Sequence, residues 1–244
     1  MEYKDFEAIF EEKFKNFLEQ MDCTNSIVAE KGEEKLRVKV YRKPDSDDFP
    51  LKKVSFMVLE NGWVKNKDDK SKVDRCEFTV ASFTPSSYIP LPIFAFEASI
   101  HLGLYDHLNV DLFMLSKDER YREVFSKPVC ELRKRYDSLE GLLPGVRKPM
   151  LAEYTSGGMM AGDFAEDQRD KTIPWLLDYV DLYKGFLDNF KNIPILKDES
   201  VIEEGRKTGE MFASMFAKAT PGILNDVPNL ADEETGKKLG DLLF

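Results

Sequence analysis

The stretch from Leu36 to Phe83 holds three short segments of alternating character: LRVKVY (36–41), KVSFMVLE (53–60) and CEFTVASF (76–83). A period of two turns one apolar row toward a core and the other away from it, which is the pattern of a half-buried strand. Between them lie KPDSDDFP (43–50) and KNKDDKSK (65–72), both rich in turn-forming residues. Neither spacer leaves room for a crossover helix, so the strands are expected to run antiparallel as a meander. Two further apolar runs, PIFAFEASIHLG (92–103) and LNVDLFML (108–115), extend the sheet.

Helical patterns flank this block. Phe6, Ile9, Phe10, Phe14, Phe17, Leu18 and Met21 recur at three- and four-residue spacing, predicting an amphipathic helix over 2–22. Ser116 with Glu119 reads as a capping box, opening a helix that runs to about Leu139 with a kink or break at Pro128. MLAEYTS (150–156) and GMMAGDF (158–164) read as short strands around a Gly157-Gly158 hairpin or bulge. From Thr172, with Pro174 in the first turn, the spacing of Trp175, Leu176, Tyr179, Leu182, Tyr183, Phe186, Leu187 and Phe190 predicts a long helix. Further helices are expected over about 199–217 and 239–244. The expected fold class is α/β: a three-layer α-β-α sandwich with a central, mainly antiparallel sheet, forming one domain over residues 1–244.

Composition narrows the function classes. With 244 residues, 42% of them hydrophobic, the chain can bury a substantial core. Its apolar runs are interrupted well short of the about 20 residues that span a bilayer, so no membrane association is expected. A net charge of -10 argues against general nucleic-acid binding. Cys23, Cys76 and Cys130 form no CxxC pair, and there are only two histidines, His101 and His107, so neither a disulfide framework nor a metal centre is expected. The charged N-terminus lacks a secretory pattern, which with the cysteine usage predicts a cytoplasmic location, or the plastid stroma where a transit peptide has been removed. No heptad or exposed apolar run argues for an obligate dimer, and a monomer is expected.

No Walker A loop, GxGxxG, GxSxG or HExxH occurs, and Gly157-Gly158 is too short to cradle a dinucleotide. The informative residue is Glu97, which interrupts the apolar strand Leu91-Pro92-Ile93-Phe94-Ala95-Phe96-Glu97 and shares a face with Ala95 and Ser99. Apolar surroundings disfavour the ionised form of a carboxyl and suit it to deliver a proton. The residues alone fit equally a carboxylate at the wet edge of a sheet. The two histidines read as structural, and Arg133-Lys134-Arg135 as either the solvated face of a helix or a small patch for an anionic partner.

The segment from Leu91 to Glu97, followed fourteen residues later by Asp111-Leu112, resembles the central block of the ferredoxin-dependent bilin reductases and of the related red chlorophyll catabolite reductase, whose acid is Glu as here. RVKVYRKP (37–44) leading into KKVSFMVLENG (52–62), LPGVRKPMLAEYTS (143–156) and the terminal LGDLLF (239–244) are weaker matches. The resemblance implies a reductase of a linear, biliverdin-like tetrapyrrole, of the kind found in phycobilin biosynthesis. Such a protein carries no cofactor of its own and pairs single electrons from reduced ferredoxin with site-specific protons. Glu97 would then be the proton donor or would hydrogen-bond the pyrrole nitrogens.

A second acid usual in the family's C-terminal region falls on Lys218 without a gap and, with one, on the Asn225-Asp226 pair, so that Asp226 is the candidate, although Asn-Asp before Val-Pro reads equally as a turn. Arg147, Lys148 and Lys218 are candidate partners for the substrate's propionates and fit surface salt bridges equally well. Arg133, Lys134 and Arg135, with Arg120 or Arg122, are the expected ferredoxin patch. Two positions depart from the family: a histidine seventeen residues before the acid is Val80 here, and an earlier carboxylate falls on Met57. Loss of the histidine narrows the chemistry rather than abolishing it; Val80, together with the gapped placement of the second acid, gives weight to the alternative of a non-catalytic tetrapyrrole-binding or carrier protein on the same fold.

Overall fold

The computed structural model describes residues 5–66, 68–143, 149–225, 227–230 and 232–243, with the side chains of 149–151 and 216–223 outside that description. Seven strands form one antiparallel sheet in the order of the chain: β1 (Asp22–Lys31), β2 (Glu34–Arg42), β3 (Leu51–Lys65), β4 (Val73–Pro85), β5 (Ile93–His101), β6 (Tyr105–Phe113) and β7 (Met160–Phe164). The helices are α1 (Phe6–Lys13), α2 (Lys15–Leu18), α3 (Glu119–Lys134), α4 (Arg169–Asn189), α5 (Glu199–Asn225) and α6 (Glu233–Leu243). Helices cover the sheet on both sides, so the expected α-β-α layering is the architecture present.

One side is packed with aromatic rings. Phe56, Phe83, Phe94 and Phe96 from β3, β4 and β5 meet Phe6, Phe10 and Phe14 of the first helical segment and Tyr183 of α4, all fully buried. Phe10 is the hub, its ring centroid 5.0 Å from Phe96, 5.7 Å from Phe83, 5.8 Å from Phe56 and 6.0 Å from Phe94. At the rim, Arg37 donates two hydrogen bonds to the Glu7 carboxylate, at 2.9 and 2.5 Å, and Lys39 pairs with Glu7 and Glu11. Burial opposes the Glu7 charge, yet Arg37 and Lys39 hold its carboxyl below the usual range. At the far edge, Asp106 is only 1% exposed and is held by Arg169 at the start of α4 through bonds of 2.6 and 2.8 Å.

α5 and α6 cover the other side only in part. Near the start of α5, Gly205 lies so close to Pro90 that a Cβ there would come within 2.5 Å of the proline ring. Phe212 packs on Phe113 and Tyr154, with centroids 5.2 and 5.4 Å away. At the other end Leu224, Val227, Leu230 and Leu239 sit on Leu36, Val38, Val40, Met57 and Leu59. Between these anchors Phe78, Val80, Ala95, Glu97, His107 and Asn109 are only half-buried.

Several local expectations are corrected. β1 was not expected, because DCTNSIVAEK does not alternate; it is an edge strand held by its ladder to β2. The N-terminal helix is interrupted at Phe14, although Phe6, Phe10, Phe14 and Leu18 keep one buried stripe. Residues 150–156 are not a strand: Pro149–Tyr154 is a 3-10 helix, and the two glycines serve a passage beneath α3 rather than a hairpin. Gly157 takes a positive φ of 81°, and a Cβ on Gly158 would meet the Val129 carbonyl at 2.5 Å. The cap of α3 is Asp118, which accepts from Arg120 N and Tyr121 N; Ser116 Oγ instead donates to Glu204 of α5. α3 accommodates Pro128 internally and ends at Lys134, and α5 runs on to Asn225.

Candidate functional site

The antiparallel register brings one row of residues across the whole sheet. Ser26 pairs with Val38, Val38 with Met57, Met57 with Val80, Val80 with Glu97, Glu97 with Asn109 and Asn109 with Ala161. Directly opposite residues of antiparallel strands project from the same face. Val80 and Asn109 therefore flank Glu97 directly, and Met57 lies beyond Val80 in the same row. Glu97 is the one ionisable residue in it.

Among the described residues no hydrogen bond or ion pair engages the Glu97 carboxylate, which is half-buried. Its charge reaches Cys76 further along the same face: burial, and next the Glu97 carboxylate, push that thiol up to about 12. Cys76 is therefore protonated near neutrality and is no nucleophile.

The other acid of the central block has a different environment. Asp111 is fully buried, accepts hydrogen bonds from Ser156 N at 3.1 Å and from Ser156 Oγ, and pairs across the ladder with Ala95. Burial raises it to about 7 despite the Ser156 hydrogen bonds, which favour its charge. Its visible work is to pin the Thr155–Gly158 passage, where Ser156 Oγ also accepts from Gly158 N.

His107, read from the sequence as structural, stands one step along β6 from Asn109 on the Glu97 face. It pairs across the ladder with Asp163 of β7, its Nδ1 lying 2.7 Å from the Asp163 carboxylate. Sequence offered no signal for this pairing, because the partners are 56 residues apart.

Of the other expected site residues, Arg147, Lys148 and Asp226 lie outside the described residues, and Lys218 falls within α5 with its side chain outside them. Leu224 and Val227, either side of Asp226, both pack with Met57 on the Glu97 face. Three cations of the expected ferredoxin patch are paired with acids. Arg133 pairs with Asp137, Arg135 lies 3.7 Å from Asp178, Arg120 bridges Asp118 and Asp198, and Arg122 donates to the Glu153 carbonyl. A cavity of about 230 Å³ opens near Glu60, Asn61, Glu77 and Ile100, away from the Glu97 row. It is smaller than the roughly 300–1,000 Å³ of small-molecule pockets. Among the described residues no helix is long and apolar enough to cross a membrane.

No protein-family model and no curated protein matches the chain. Among solved structures, selenomethionine phytochromobilin synthase from tomato in complex with biliverdin superimposes with a TM-score of 0.64. The fold is that of phytochromobilin synthase. The alignment covers 97% of this chain and 80% of that one at 13% identity, so the likeness is one of architecture. The architecture implied by the resemblance around Glu97 is thus the one present.

Proposed function

We propose that this chain binds a linear tetrapyrrole against the Glu97 face of its sheet and reduces it with single electrons from reduced ferredoxin. The observation that carries the reading is the Glu97 carboxylate, half-buried and unengaged among the described residues, on the incompletely covered face of this fold. Elsewhere Glu7, Asp106 and Asp111 are each committed to a partner. An unengaged acid of this kind can meet a ligand's N–H groups or pass a proton to it. Electrons come from outside, the conjugated pigment stores the radical, and the protein supplies position and protons. Asp226 is assigned as a second acid, and Arg147, Lys148 and Lys218 as cations for the propionates. Tomato phytochromobilin synthase in its biliverdin complex supports the substrate class.

An absorbance titration with biliverdin, followed by anaerobic addition of reduced ferredoxin, tests the reading. A shifted, sharpened pigment band that moves to the blue on reduction is the expected result; no spectral change at either step overturns it. Val80 and Met57 favour the second reading, a tetrapyrrole carrier, because the Glu97 row lacks further proton-handling groups. Binding without reduction is the outcome that reading predicts.

A further inference from the structure

Reduction of one double bond consumes two electrons and two protons, and the Glu97 row holds one titratable group. On the proposed reading of that face, we infer that His107, held by Asp163, delivers the second proton to the bound tetrapyrrole, Asp226 of that reading then meeting the pigment without supplying this proton. Asn109 stands directly opposite Glu97, and His107 lies two residues along the same strand. Diagonal neighbours of this kind are about 7–8 Å apart, less at Cβ. A ligand of four linked rings lying along the face touches both.

Asp163 defines what the imidazole does. A carboxylate only accepts, so Nδ1–H donates to Asp163 and, on this inference, transfer to the pigment runs through Nε2. The pair is 15% and 21% exposed at its side chains, enough for solvent to restore the proton after each transfer. The neighbours on this face are poorer donors. Cys76 and Tyr105 are both raised to about 12, Tyr105 by burial and then by the Asp163 charge. Asp111 is fully buried on Ser156, and His101 is stacked on Tyr105 at 4.4 Å, at the far end of β5. Asp163 is a positioning residue and His107 the group that meets the substrate.

The step balances as two one-electron additions from an external donor of the ferredoxin class, with one proton from Glu97 and one from His107. The first electron leaves a pigment radical, and loss of His107 leaves the sequence short of its second proton.

The test is stoichiometric reduction of the biliverdin complex by reduced ferredoxin, followed by absorbance and electron paramagnetic resonance. For His107→Gln, pigment binding as in the parent and a radical persisting about 10²-fold longer are expected, within the range that general acid catalysis contributes. Asp163→Asn, which keeps the imidazole but replaces its acceptor, lengthens the radical lifetime less. It carries the test should His107→Gln fail to bind pigment. Parent-like radical decay in the readable variant overturns the assignment while leaving the reductase reading intact. A variant that only weakens pigment binding, with normal decay at saturation, also overturns it. If the unaltered protein neither binds nor reduces the pigment, the reductase reading falls, and this inference with it.

Discussion

The two faces of the sheet are built from the same strands yet differ in finish. On the aromatic face Phe56, Phe83, Phe94 and Phe96 are at most 1% exposed, and α1 and α4 close over them. On the opposite face, one residue out of step along the same strands, Val80, Ala95, Glu97 and Asn109 stay half-buried between the two ends of α5. Alternation along a strand permits this division of labour, with one row for stability and its neighbour left incomplete for a ligand. A substitution on one face should therefore move stability, and one on the other should move pigment chemistry.

The largest effect is expected at the sealed edge. Arg169→Ala leaves Asp106 charged and buried without its bidentate partner, which costs about 3–5 kcal/mol in a denaturant melt. Phe10→Ala opens the hub of the aromatic face at a similar cost of about 3–5 kcal/mol. Retention of full stability by either variant would break the comparison. On the open face the readout changes: Glu97→Gln is expected to reduce bilin turnover by about 10²-fold or more while shifting stability by under about 1 kcal/mol. Turnover equal to the parent would remove Glu97 from the chemistry.

Asp111, on the Glu97 face yet fully buried, sharpens the comparison. Burial raises its folded value to about 7 from the ordinary 3.8 of an aspartate, so the folded state holds a proton that the unfolded state has lost between those limits. Its contribution is complete below about pH 4 and fades as pH rises toward 7. Asp111→Asn keeps an acceptor for Ser156 N without a charge to bury. Relative to the parent it should gain about 1–3 kcal/mol between pH 5 and pH 8, read from urea melts at both. A constant difference would assign Asp111 a charged form that folding tolerates. The smallest effect is expected for Val80→Ala, under about 1 kcal/mol in stability but measurable as a weaker pigment band.

Legibility followed local chemistry. β2 to β6 were readable because alternation and turn-rich spacers are properties of contiguous residues. β1 was not, because an edge strand exposed along most of its length needs no apolar row; its ladder to β2 supplies the order. Ser116 and Glu119 match a capping box, yet Asp118 caps the helix while Ser116 turns to Glu204, 88 residues away. Glu97 was visible as a carboxylate interrupting an apolar run. Its neighbourhood was not, since Met57, Val80 and Asn109 become neighbours only when three strand registers are fixed.

By itself, then, the sequence determined the meander, the aromatic stripe of the first helix, the layered class and the one conspicuous acid. These rest on periodicity, turn chemistry and the cost of placing a charge among apolar residues. Only the tertiary structure decided which side of the sheet stays open, that Asp111 is committed to Ser156 while Glu97 is not, and that His107 meets Asp163. Those outcomes depend on cross-strand register and helix docking, which join residues far apart in the chain. No local pattern carries a record of a partner 45 or 56 residues away.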